Sequence, residues 1–137
     1  MMRIGELSVG MSAEHAKTVT DADVVLFAGV TGDFNPVHVD EVAAARSMFG
    51  GRIAHGMLGA GLISAVIAMK LPGPGTIYLS QSLRFTKPVR IGDTVTARVE
   101  VAEVIPAKKR VRLLTSCRNQ GGDTVIDGEA TVMVPDG

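Results

Sequence analysis

From Gly56 to Met69 the chain reads GMLGAGLISAVIAM, and no charge appears until Lys70. A helix that is apolar on every side must lie inside a fold or inside a bilayer. At about 1.5 Å per residue this one falls short of the ~30 Å hydrocarbon core of a membrane, so it is expected at the centre of a fold. Leu71-Pro72-Gly73-Pro74-Gly75 then stops it and turns the chain. Within it, Gly59 to Ser64 (GAGLIS) loosely imitates a dinucleotide fingerprint. Those glycines sit inside the helical pattern and not between a strand and a helix. They are better read as a small-residue surface that a sheet approaches closely, and no nucleotide cofactor is expected.

The rest of the chain supplies that sheet. Thr76 to Phe85, Asp93 to Val104, Arg110 to Asn119 and Asp123 to Val134 alternate with period two over much of their length, as in Val95, Ala97, Val99, Val101 and in Val111, Leu113, Thr115, Cys117. Lys87-Pro88, Ile91-Gly92-Asp93, Pro106 to Lys109 and Gln120 to Gly122 provide turns. Short connections predict that consecutive strands are antiparallel neighbours. A sheet with one apolar face needs a cover, and the long apolar helix is the element available. The expected class is α+β, with the sheet wrapped around the helix.

At 137 residues a single domain spanning 1–137 is expected. Hydrophobic residues at 46% and charged residues at 20% predict a folded core. The formal net charge is zero, and no basic stripe carries interleaved aromatics, so nucleic acid is not expected as a partner. The lone Cys117 excludes an internal disulfide and a cysteine-rich zinc site, and its place in an alternating strand predicts a packed thiol. Met1 to Met11 lacks a basic segment followed by an apolar run, which predicts a cytoplasmic protein.

Taken in order, the opening through Lys17 contains a candidate edge strand. Thr20-Asp21-Ala22-Asp23 is a helix start, with a hydroxyl to cap and acids at the positive end of the dipole. Val24, Phe27, Ala28 and Thr31 fall on one helical stripe. The chain then reaches TGDFNPVHVD, Thr31 to Asp40, where Pro36 denies Asn35 the helical region and bends the backbone. The bend allows Asp33 and His38, a carboxylate and an imidazole, to converge for acid-base work near neutrality. An Asp at a turn also bonds its own backbone, and a His after Pro can cap a helix, so a structural loop fits the same spacing. Asp40 starts a second helix, EVAAARSMF, which Gly50-Gly51 ends. Arg46 in it is read as a solvated surface cation.

Asp33, Asn35, Pro36, His38 and the small residues Ala43 to Ala45, followed by AHGM at Ala54 to Met57, resemble the MaoC-like hydratases, the (R)-specific enoyl-CoA hydratases of the hot dog fold. The resemblance continues through LPGPGTIYLSQSLRFTKPVRIGDTV to GEATV near the end. It implies that Asp33 and His38 grip one water and add it across a trans-2-enoyl thioester. It implies further that the Gly56 N–H, at a helix start where negative charge can settle, is the oxyanion donor. The alternative for Gly56 is a purely packing role against the sheet. The resemblance places Asn35, Ser64, Ile67 and Val132 at the substrate, Ser64 near the aspartate and Ile67 with Val132 limiting acyl depth. From the local sequence alone, Ser64 could equally bond a carbonyl one turn back. His55 is expected to shape the helix entry and receives no chemical role.

The bulk of Ile67 and Val132 predicts a shallow pocket for acyl chains of about four to six carbons. No metal or separate cofactor is implied, since coenzyme A is part of the substrate and the spacing of Asp33, His38 and His55 matches no usual zinc pattern. Arg84, Lys87, Arg90 and Lys108-Lys109-Arg110 are cations available to coenzyme A phosphates. Related proteins pair as dimers with active sites near the subunit boundary, so a homodimer is implied. Competing functions are a hot dog thioesterase, a dehydratase acting on acyl-carrier-protein or branched or dicarboxylic substrates, and an acyl-CoA-binding module without turnover.

Overall fold

The computed structural model describes residues 2–135. Its elements are β1 (Ser12–Thr18), α1 (Asp21–Thr31), α2 (Pro36–Val39), α3 (Glu41–Ala45), α4 (Gly56–Met69), β2 (Ile77–Phe85), β3 (Thr94–Ile105), β4 (Arg110–Arg118) and β5 (Thr124–Met133). The strands form one antiparallel sheet in the order β1-β3-β4-β5-β2. One face of the sheet packs on α4, giving the hot dog arrangement. Among the described residues no helix is long and apolar enough to cross a membrane.

The alternation read from the sequence is the inward face of the sheet. Val95, Ala97, Val99 and Val101 of β3 and Val111, Leu113 and Cys117 of β4 join Ile63, Val66 and Ile67 of α4 in one buried cluster. Cys117 Sγ lies 3.6 Å from the Gly59 carbonyl, and burial pushes its thiol up to about 12, as suits a packed side chain. The glycines of α4 do bring the sheet close: a Cβ on Gly59 would fall 2.6 Å from Ile126 Cδ1 of β5.

Three expectations need correction. β2 does not neighbour β3. It pairs with β5, with Leu83 opposite Gly128, so that β1 and β2 are the two edges of the sheet. Residues 86–93 do not close a hairpin because their backbone groups are used elsewhere: Thr86 N–H bonds Val125, Val89 O accepts from Ala54, and Gly92 and Asp93 bond Val19. α3 ends at Ala45 and does not run on to Phe49, because Ser47 Oγ donates to Ala44 O at 2.6 Å and draws the chain out of the helix. On α1 the stripe is Val24, Phe27 and Ala28. Thr31 is exposed, and its hydroxyl donates to Phe27 O.

Candidate active site

α1 is closed by Gly32 in the left-handed region (φ +83), the one backbone state that turns the chain sharply there. Its N-terminus is fixed by a reciprocal cap, in which Thr20 and Asp23 each accept the other's backbone N–H. Asp33 follows Gly32 on an exposed loop. Its Oδ1 accepts from the Asn35 N–H at 3.1 Å, and the Asn35 side chain in turn accepts from Val37 N–H at 3.3 Å and caps α2. Asn35 therefore shapes the turn between the two candidate groups, with Pro36 as the first residue of α2.

His38, near the end of that short helix, points inward and is buried. Its Nδ1 lies 2.8 Å from Ile53 O. A carbonyl only accepts, so Nδ1 carries the hydrogen and, on the neutral ring, Nε2 is a bare acceptor. Arg52 braces the same residue from outside, donating from Nε to His38 O at 2.6 Å while its guanidinium reaches Asp21 Oδ1 at 2.7 Å and Glu41 Oε2 at 3.7 Å. Nothing in the sequence around Arg52 distinguished it, since its partners lie on three separate elements.

Asp33, His38 and His55 bring one potential ligand atom each within 4.8 Å of one another. His55 precedes α4, stacks on His38 with ring centroids 3.9 Å apart, and has Nε2 2.9 Å from Asp33 O. A metal ion wants lone pairs in the ring planes at ~2.0–2.1 Å. The two rings are stacked at 28°, and each commits one nitrogen to a carbonyl and leaves the other as an acceptor. His38 Nε2 and the Asp33 carboxylate can both accept hydrogen bonds from a small molecule.

Beside it opens a cavity of about 440 Å³ whose lining includes His38, His55 and Gly56 together with the apolar Leu58, Leu62, Val95, Val125 and Ile126, while Asp33 and Asn35 lie off that lining. The first turn of α4 leaves the N–H groups of Gly56 and Met57 without intrahelical acceptors, and Gly56 is exposed on the cavity wall. The Phe85 ring crowds this point, 2.7 Å from where a Cβ would sit. Ser64 lies about two turns further along the helix, half-buried and off the lining, while Ile67 and Val132 are within the core cluster, also off it. Of the cations, Lys87 is on the cavity wall and pairs with Asp123 at 2.6 Å; Arg90 donates to Phe49 O.

Comparison with known proteins agrees in sequence and in shape. The chain is 55% identical to an (R)-specific enoyl-CoA hydratase of Rhodospirillum rubrum over 95% of its own length and 90% of that protein's. It is 54% identical to a 3-hydroxybutyryl-CoA dehydratase of Methylorubrum extorquens over 95% and 82%. Its structure superposes on the unliganded R-hydratase PhaJ1 from Pseudomonas aeruginosa with a TM-score of 0.93 at 53% identity, covering 98% of this chain and 86% of that one. Residues 6–120 match the family model described as MaoC like domain. With the loop, the buried helix and the wrapped sheet all in place, the chain belongs to the MaoC-like family.

Proposed function

We propose that the protein is an (R)-specific enoyl-CoA hydratase, converting short-chain trans-2-enoyl-CoA to (R)-3-hydroxyacyl-CoA and, in reverse, dehydrating it. One arrangement carries this most: the imidazole of His38, its Nε2 a bare acceptor, and the carboxylate of Asp33 stand close together, and His38 lines an apolar cavity with Gly56 at the N-terminus of α4. Both groups accept hydrogen bonds. A water donating one hydrogen to each keeps an oxygen lone pair free for the β-carbon of the enoyl group. As the C–O bond forms, one acceptor takes the water's proton and the π electrons move onto the thioester oxygen. The protonated group then returns a proton to the α-carbon, completing the addition. Positioned groups of this kind contribute roughly 10²- to 10⁴-fold.

The charge that gathers on the thioester oxygen falls to the Gly56 N–H, which α4 leaves unpaired and which lacks a side chain to obstruct approach. Asn35 holds the loop, and the acyl chain, kept at about four to six carbons, enters among Leu58, Leu62, Val95 and Val125. Ser64, Ile67 and Val132 act on the substrate only by shaping the surroundings of that cavity. The reaction uses no metal and no cofactor beyond the coenzyme A of the substrate, and the compartment is the cytoplasm.

Incubation with crotonyl-CoA tests the reaction. Loss of enoyl absorbance without free thiol, giving the (R) product, supports hydration. Release of thiol without hydration assigns a thioesterase instead, and binding without turnover assigns an acyl-CoA-binding module. A parallel series on crotonyl-acyl-carrier protein reads out the carrier.

The chain is further proposed to pair through β2. That strand is an edge of the sheet and exposed over most of its length, and Ile77, Tyr78, Leu79 and Phe85 stand open on it. A second copy covers this strip with the same strip, as two-fold symmetry requires. Sedimentation should give a dimer, and Leu79→Lys a monomer. A monomeric wild-type protein contradicts the pairing.

A further inference from the structure

His55 is a buried titratable side chain that the mechanism above leaves unused. It is 3% exposed. Its Nε2 meets the carbonyl of Asp33 at 2.9 Å, so the hydrogen resides on Nε2 and Nδ1 of the neutral ring is a bare acceptor. That Nδ1 is buried without any partner. Two rings pack on it, His38 stacked at 3.9 Å and 28° and Phe27 of α1 tilted at 4.8 Å and 51°.

A side chain needed only to fill this slot could be apolar, and it would then bury no unpaired nitrogen. What the imidazole adds is a donor aimed at the main chain of Asp33. Its place in the chain matters equally, since His55 is the N-cap of α4, one before Gly56. A single ring thus touches the backbone that carries the carboxylate and covers a face of the imidazole, and it belongs to the N-cap residue of the helix.

We infer that His55 is a positioning residue for the hydration reaction: held as the Nε2–H tautomer, it locks the Asp33 main chain, the His38 ring and the start of α4 in one register. The inference rests on the function proposed above. His55 touches neither water nor thioester in this role. It acts through Asp33 and His38, and a loosening of such groups by about 1 Å costs on the order of 100-fold in rate.

Two substitutions separate its contacts. His55→Phe keeps an aromatic face toward His38 and removes the donor, whereas His55→Gln restores an N–H near the Nε2 position without the ring. With both variants shown folded by thermal melts, His55→Phe should lower kcat on crotonyl-CoA by about 10- to 100-fold at little change in KM. His55→Gln should recover most of that loss, which a slot-filling role does not predict. Imidazole ¹⁵N spectra of the wild type should show His55 protonated on Nε2 and unprotonated on Nδ1 at neutral pH. Wild-type kcat in His55→Phe, no recovery in His55→Gln, or a proton on Nδ1 each overturns the assignment. If His55→Phe does not fold, the kcat of His55→Gln and the spectrum decide: a small loss with the Nε2–H form upholds it, and a loss as large as that of a His38 variant, or the other tautomer, overturns it. A wild-type protein inactive on crotonyl-CoA overturns the proposed function instead, while the spectrum still reports the tautomer.

Discussion

The loop from Thr31 to His38 and the contact between α4 and the sheet are held by different forces. The loop is exposed from Thr31 to Pro36, and short polar bonds fix it: Asp33 to Asn35, Asn35 to Val37, His38 to Ile53. Beneath it, Ile63 and Val66 of α4 meet Val99, Leu113 and Val132 of the sheet with no exposure at all. Burial of such side chains contributes ~1.5–3 kcal/mol each, against ~0.5–1.5 kcal/mol net for a hydrogen bond. Stability therefore resides in the lower layer and chemistry in the upper one, and a substitution should disturb one while sparing the other.

The largest expected effect is on the rate. His38→Asn retains an N–H for Ile53 O and removes the Nε2 acceptor, and kcat for enoyl-CoA hydration should fall roughly 10²- to 10⁴-fold with a urea midpoint near that of the wild type. An equal loss of stability would merge the two regions and break the contrast. The opposite pattern is expected at Gly128 of β5, where a Cβ would lie 1.9 Å from Ser82 O, a backbone atom that cannot yield without moving β2. Gly128→Ala should cost about 3 kcal/mol or more in urea unfolding. Gly59→Ala meets the movable end of Ile126 and should cost about 1–3 kcal/mol by overpacking in the same measurement.

Smaller effects sharpen the boundary between the layers. Thr20→Ala removes the cap of α1, the helix that delivers Asp33, at about 1 kcal/mol. The Thr20 backbone N–H, and after it Lys17, hold the Asp23 carboxyl below its ordinary value. A lowered folded value stabilises the fold above the ordinary carboxyl range, near ~3.9, and the contribution disappears as pH falls through the lowered value. Asp23→Asn should flatten that part of the acid limb of a stability-pH curve. Cys117, its thiol pushed up to about 12 by burial, should resist thiol reagents in the native protein and react only as the sheet unfolds.

The lower layer was the more legible. α4 has the bounds of the uncharged run, and β3, β4 and β5 follow their period-two alternation, because burial writes itself into residue type at fixed spacing. The partner of β2 was not legible. Most of its residues are exposed, so its pattern names no neighbour, and the bonds of residues 86–93 to distant backbone decide the order. The end of α3 was hidden in one hydroxyl, Ser47. At Gly128 an available signal went unread, a glycine inside a strand where another backbone comes close.

In the upper layer Asp33, Asn35, Pro36 and His38 stood together in the sequence, and the bend at Pro36 was predictable. The bracing of His38 by Arg52 and its stack with His55 were not, for those contacts join residues 14 apart or more through the path of the loop. The roles of Asp33, His38 and Gly56 at a substrate came from family resemblance and now belong to the proposed mechanism. Ile67 and Val132, given the acyl chain by the same resemblance, sit in the core off the cavity lining.

The most direct measurement is kcat for crotonyl-CoA hydration and the urea midpoint of Asp33→Asn, taken on the same preparation. An amide keeps the side chain's shape and can still accept from the Asn35 N–H, but it is not a base. A fall in kcat of roughly 10²-fold or more at an unchanged midpoint is predicted. Wild-type turnover in that variant would contradict the shared-water mechanism.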